Sequence, residues 1–371
     1  MSRPSKRALP RITIGSTVLA LACSALAAAS VASAAAPGPA RPRTPAVTTL
    51  PVTFQVVNVN RSALACASDG TRYEVRGHLV GPAAKLRPGA PGGSAPVTLY
   101  LHSFSFGEFF WHFTAVPRYD YAAAIARKGH VSIVVDRLGY GASGHPSGRG
   151  TCLGAAADVA HQVIGELRSG DYAVEGRRAP RFGKVALAGH SIGGLIANLE
   201  AYSFGDVDAL LAVSYTPQVR PLALEHFYAG QVVCEAGGEP VQPGGPGAYA
   251  YFGQTEADFR ANVFHRADAA VVDAATRLRG RDPCGESRSV IDALVLELTA
   301  LPRVKAPVLL VCGREDALTP AFACPYLKRR YTGSRDVSVA LVRNAGHALP
   351  LERAAPAFRR RVSAWLRGHG F

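Results

Sequence analysis

No two of the seven cysteines stand in a C-x-x-C pair. Thioredoxin-like redox chemistry and the usual zinc knuckles are therefore excluded. Charge is sparse, at 18% of the residues, and acids are outnumbered, 27 against 41 lysines and arginines, for a formal net charge of +14. Such an excess raises the possibility of nucleic acid as a partner. The basic residues are scattered, however, with no zinc-finger spacing, no basic stripe interleaved with aromatics and no arginine-rich tail, which argues against it. Four of them (Arg3, Lys6, Arg7, Arg11) fall in an acid-free leader, and removing it lowers the excess to +10. No internal repeat is visible, so solenoids and propellers are excluded as well. What remains is a chain of 371 residues, 48% apolar, long enough for one large α/β domain with an insertion.

The leader, residues 1–36, has a basic start, an apolar stretch over 12–29 and small residues at Ala32-Ser33-Ala34. That is the pattern of a cleaved secretory signal. An uncleaved N-terminal membrane anchor is the alternative, because the apolar stretch approaches the length of a span. A Pro-rich linker follows over 37–50. The cysteine count agrees with export: without Cys23 of the leader, six remain, an even number that suits disulfides in an oxidising compartment. Proximity in sequence favours Cys66–Cys152, Cys234–Cys284 and Cys312–Cys324, with buried free thiols as the alternative. Stable membrane insertion after cleavage is not expected, and the sequence leaves oligomeric state open.

The richest stretch is Lys184-Val-Ala-Leu-Ala-Gly189-His-Ser191-Ile-Gly193-Gly. An apolar strand-like run enters G-x-S-x-G, and a helical pattern over 195–202 leaves it, which is the context of a nucleophile elbow. The sharp turn needs glycine at 189 and 193 because a Cβ there would strike the adjoining strand and helix. It also leaves the Ile192 amide at a helix N-terminus, placed to donate to an oxyanion. A serine hydroxyl is inert until a base takes its proton, so a histidine and an orienting acid are required downstream. Among His226, His265, His347 and His369, only His347 follows a strand-like run, Val337-Ser-Val-Ala-Leu-Val, through the small residues Asn344-Ala-Gly346. The run Ala306-Pro-Val-Leu-Leu-Val-Cys312 leads into Gly313-Arg-Glu315-Asp316, where Asp316 at the loop apex is favoured over Glu315. The strand over 209–215 ends in Thr-Pro-Gln without an acid.

These motifs, in this order, resemble the α/β-hydrolase superfamily, of the kind with a lid inserted in the core. Val97-Thr-Leu-Tyr-Leu-His102-Ser103-Phe104 is similar to the strand end that carries the family's His-Gly oxyanion loop. Val131-Ser-Ile-Val-Val-Asp136-Arg-Leu-Gly139-Tyr-Gly141-Ala-Ser143 resembles its Asp-x-x-Gly-x-Gly-x-Ser segment. The resemblance covers residues 95–215 and 300–371. It implies a mostly parallel, doubly wound eight-stranded sheet, with core segments 51–215 and 303–371 and a mainly helical lid over 216–302. It implies the triad Ser191, Asp316 and His347, with oxyanion amides at Ile192 and Phe104. Ser103 departs from the pattern, standing where glycine is usual. A small-molecule ester or acyl substrate is implied, and neither a metal nor an organic cofactor. Peptidase, thioesterase or lyase chemistry on the same triad, or a binding protein on the same scaffold, are the alternatives. The aromatic run Phe104-Ser-Phe-Gly-Glu-Phe109-Phe110-Trp111 is expected either to wall a pocket or to pack the lid on the core.

Overall fold

A computed structural model describes residues 45–87, 95–253 and 255–371. The expected signal peptide and most of the linker lie outside these residues. The first strand, β1 (Val47–Val57), takes the last four residues of the expected linker, Val47-Thr-Thr-Leu50, pairing them with Leu79 to Pro82 of β2 (Arg72–Pro82). β-Branched residues at 47–49 favour that outcome. The Gly/Pro-rich bend that follows holds a single described turn, α1 (Ala83–Leu86).

From here strands and helices alternate. β3 (Pro96–Leu101) is followed by α2 (Tyr121–Ala126) and β4 (Ser132–Val135), then by α3 (Leu153–Ser169) and a two-residue β5 (Ala173–Val174). β6 (Lys184–His190), α4 (Ile192–Ser203) and β7 (Ala209–Val213) complete this half. α2 starts where Asp120 caps it, its Oδ1 accepting from the Ala123 amide at 3.0 Å.

Between β7 and the next sheet strand lies a mainly helical segment. It comprises α5 (Pro221–Glu235), α6 (Glu256–Val263), α7 (Ala269–Leu278), α8 (Cys284–Arg288) and α9 (Val290–Ala300), with a small hairpin of β8 (Tyr249–Ala250) and β9 (Asp282–Pro283). β10 (Val308–Gly313), α10 (Ala323–Lys328), β11 (Val337–Val342) and α11 (Ala355–Gly368) close the chain.

The main sheet has nine strands rather than eight, in the order β11-β10-β7-β6-β3-β4-β2-β1-β5. The extra strand is β5, which pairs Val174 with Val52 and Ala173 with Thr53 on the outer edge of β1. Two residues carry no periodicity, so nothing in the sequence announces them. Six strands, β3, β4, β6, β7, β10 and β11, run parallel, and β2 joins β4 antiparallel. β7 and β10 are buried throughout, as expected of parallel strands covered on both faces. One face is covered by α3, α4 and α10, the other by α2 and α11. Each buried Leu or Val side chain in these layers contributes about 1.5–3 kcal/mol.

Three disulfides join the expected pairs, Cys66–Cys152, Cys234–Cys284 and Cys312–Cys324. Among the described residues, no helix is long and apolar enough to cross a membrane.

Candidate functional site

The chain runs from β3 to β4 on one side and to β6 on the other, so the strand order reverses between β3 and β6. Ligands on such sheets bind beyond the carboxyl ends of the strands at this point. Ser191 follows β6 there, with φ 51° and ψ −118°, a conformation costly for any residue with a Cβ. The glycines behave as the sequence demands. A Cβ on Gly189 would meet the Gly193 carbonyl oxygen at 1.9 Å, and one on Gly193 would meet the carbonyls of Leu101 and His102 at 2.7 Å. Ser191 is held by its own amide, which donates to the Val213 carbonyl at 2.9 Å.

His347 and Asp316 come from the loops after β11 and β10. Asn344 adopts φ 55°, turning the chain out of β11. Both side chains are buried, with His347 Nδ1 2.8 Å from Asp316 Oδ2. A carboxylate only accepts, so Nδ1 carries the proton and Nε2 is left as an acceptor. Asp316 Oδ1 accepts from the amides of Leu318 (2.8 Å) and Thr319 (2.9 Å), which fixes its plane. The backbone of His347 is anchored too: its carbonyl accepts from His190 Nε2 at 3.0 Å and from Ser214 Oγ at 2.9 Å. Glu315, the rival acid, instead accepts from the Ala345 amide at 3.0 Å and steadies the loop before His347.

The remaining histidines are occupied elsewhere. His190 stacks on Phe110, centroids 4.0 Å apart, and burial drives its pKa well below the usual value. His102 donates from Nδ1 to the Ser103 carbonyl and accepts the Arg137 amide at Nε2; burial, then the nearby Arg137, likewise lowers its pKa. His226 meets Asn262, and the His265 amide donates to Glu352. His369 pairs its Nε2 with Asp336 at 3.0 Å.

Ser103, the departure from the expected glycine, faces the elbow directly. Its Oγ accepts from the Ile192 amide at 3.3 Å. That amide is thus satisfied by a hydroxyl at rest, and an incoming oxyanion would have to displace it or share it. Phe104 is buried and borders the same cavity as Ser191, Ile192 and His347. Apart from these polar atoms and a few hydroxyls, the cavity walls are apolar, with Phe106, Phe227, Phe252, Phe259, Leu294 and Leu318 among them. Such a wall suits an acyl or aromatic group. The aromatic run divides between both expected roles. Phe104 and Phe106 line the cavity, whereas Phe110 and Trp111 are fully buried in the core, Trp111 donating to the Leu101 carbonyl.

Sequence reasoning missed the polar contacts that seat the 216–302 segment above the site. Asp282 accepts from the amides of Ser105 (2.6 Å) and Phe252 (3.0 Å), and burial pushes its carboxyl up to about 7. Glu286 pairs with Arg137 at 2.7 Å and accepts from Tyr140 at 3.1 Å, all three buried. No local signal marks Glu286 as the partner of Arg137, so distant in sequence. Glu352, whose carboxyl is pushed up to about 7 by burial, receives the Gly346 amide at 2.6 Å beside His347.

A model of the alpha/beta hydrolase family matches residues 98–361. No curated protein matches the chain. Among solved structures, a thermophilic esterase from Thermogutta terrifontis is 20% identical with a TM-score of 0.57, covering 86% of this chain and 100% of its own. A monoacylglycerol lipase from Paleococcus ferrophilus is 20% identical (TM-score 0.54; 75% and 97%). An enol-lactonase from Burkholderia xenovorans is 16% identical (TM-score 0.56; 80% and 97%). At such identities the likeness is one of fold.

Proposed function

Because this chain belongs to the alpha/beta hydrolase family, we propose that it is an exported serine hydrolase that cleaves carboxylic esters through an acyl-enzyme intermediate. The observation that carries this reading is the buried 2.8 Å pair of His347 Nδ1 and Asp316 Oδ2, on a cavity that Ser191 shares. In the proposed reaction, Ser191 Oγ attacks the ester carbonyl while His347 Nε2 takes its proton. The same nitrogen returns the proton to the departing alcohol, and water repeats the sequence to release the acid. Asp316 keeps Nδ1 protonated and stabilises the imidazolium. The amides of Ile192 and Phe104 receive the oxyanion, each worth roughly 3 kcal/mol of barrier. The Ser103 hydroxyl, which accepts from the Ile192 amide at rest, would have to share that amide and can then donate its own O–H to the oxyanion.

The cavity wall supports an apolar acyl group as substrate, since the polar atoms gather at the reacting end. Three disulfides support export into an oxidising compartment, after removal of the 1–36 leader. A Ser191→Ala variant should lose hydrolysis of short p-nitrophenyl esters by at least about 10⁴-fold and lose labelling by a fluorophosphonate. Undiminished hydrolysis in that variant would refute the assignment. Absence of an adduct on the parent would favour a binding protein on this scaffold.

A further inference from the structure

At the far end of α4 from the elbow, three ionisable side chains converge from separate segments. His161 projects from α3, Glu200 from the last turn of α4, and Asp206 from the loop into β7. One ligand atom from each lies within 4.8 Å of the others. His161 Nδ1 is 2.8 Å from Asp206 Oδ2 and 4.0 Å from Glu200 Oε1. Two further observations set this group apart from an ordinary acidic surface. Glu200 is fully buried, and neither of its oxygens receives a hydrogen bond. Asp206 Oδ1 is likewise buried and without one. Buried carboxylate oxygens are nearly always satisfied, and leaving them bare is costly. Arg168, a neighbouring cation, is engaged by the Asp206 carbonyl and by Asp208.

We infer that His161, Glu200 and Asp206 form a structural divalent-cation site, with zinc as the ion it fits. The donor set decides the metal. An imidazole nitrogen with two carboxylates suits zinc, whereas calcium and magnesium favour all-oxygen shells. Two carboxylates and a neutral imidazole balance the ion's charge. Tetrahedral zinc holds such ligands at about 2.0–2.2 Å. The 2.8 Å and 4.0 Å separations from His161 bracket the ligand spacing this requires, and all three atoms lie within 4.8 Å of one another, so side-chain rotation closes the shell. The side chains of His161 and Asp206 are 32% and 29% exposed, which leaves solvent access for entry and for a water as fourth ligand. The ring of His161 is held flat on Phe204, centroids 4.0 Å apart, and so is already oriented.

The site stands apart from the cavity. Glu200 is nine residues along the helix from Ser191, about 13 Å at 1.5 Å per residue. Its role is therefore to clamp α3, α4 and the approach to β7, not to touch a substrate. A proton shared between Glu200 and Asp206 is the competing occupant.

The mature protein, stripped with chelator and dialysed, tests this directly. Zinc at a hundredfold excess over its dissociation constant should raise the melting temperature by about 5 °C. One zinc per chain should remain after gel filtration. Glu200→Gln and His161→Gln should each lose both the shift and the bound metal. Ser191→Ala should keep them. His161→Gln alters a partly exposed ring, so it serves if Glu200→Gln fails to fold. The absence of both a shift and retained zinc in the parent would overturn the site and leave the shared proton. Zinc retained by both variants would place the ion elsewhere and overturn it equally.

Discussion

The sheet and the 216–302 segment solve the burial problem in opposite ways. β7 and β10 are buried along their whole length, and the polar groups they deliver at their carboxyl ends are tethered several times over. The inserted segment leaves large apolar side chains in solvent. Val219, Leu224, Tyr228 and Val232 lie along α5 and its approach, and Ile291, Val295 and Leu298 along α9. Leu224 and Ile291 also line the cavity that holds Ser191. In the proposed reaction the sheet thus supplies the chemistry and the insert supplies the shape around it. The two are joined by buried polar contacts, Asp282 with the Ser105 amide and Glu286 with Arg137, rather than by an apolar seam alone.

This division can be tested on each side, beginning with the largest effect. Asp316→Asn should lower ester turnover by about 10³–10⁴-fold by presenting the wrong imidazole tautomer, while Glu315→Gln stays within a few-fold. Steady-state kinetics on one short ester would expose a reversed ranking. At the joint, Glu286→Ala strands the buried Arg137 charge and should cost about 3–5 kcal/mol, read by urea unfolding. A loss below about 1 kcal/mol would mean the joint is looser than the geometry implies.

Glu297 of α9 sharpens the comparison through pH. It accepts from Asn198 and Tyr215, and burial pushes its carboxyl up to about 7. A carboxyl raised above its unfolded value near 4.3 binds a proton on folding. It therefore contributes stability at low pH that is lost as pH climbs from about 4 to 7. Glu297→Gln removes that dependence. Its stability relative to the parent should rise across this window, by up to about 3 kcal/mol, and level off above it. Melting curves taken at several pH values would reveal a flat difference if the carboxyl titrates normally. Smallest are Leu224→Ser and Ile291→Ser, each expected to leave stability within about 0.5 kcal/mol. Both should lower kcat/KM for long acyl esters up to about tenfold, with short esters unaffected.

The contrast also marks how much was readable beforehand. Gly189-His-Ser-Ile-Gly193 sits where a sharp turn has few chemical solutions, so local sequence sufficed. Asp316 and His347 were legible because each follows a short apolar strand, and the six cysteines paired as their spacing implied. The mainly helical character of the insert was legible, as α5, α6, α7 and α9 show. Their seating was not, because Asp282 and Glu286 find partners far away in sequence and no periodicity encodes that. β5 is too short to have a pattern. The strand Val47-Thr-Thr-Leu50 was hidden by the Pro-rich residues before it, and the split of the aromatic run between cavity and core depends on tertiary packing alone. Ser103 was visible as an anomaly, yet its contact with Ile192 needed coordinates.

β11 forms the outer border of the sheet, with β10 as its single strand neighbour, and His347 hangs from the loop it launches. In the proposed reaction His347 is the base, so a chain ending before this border would keep Ser191 and lack the group that takes its proton. If that border peels away before the interior strands, the proposed turnover is expected to vanish while the interior still reports an intact fold.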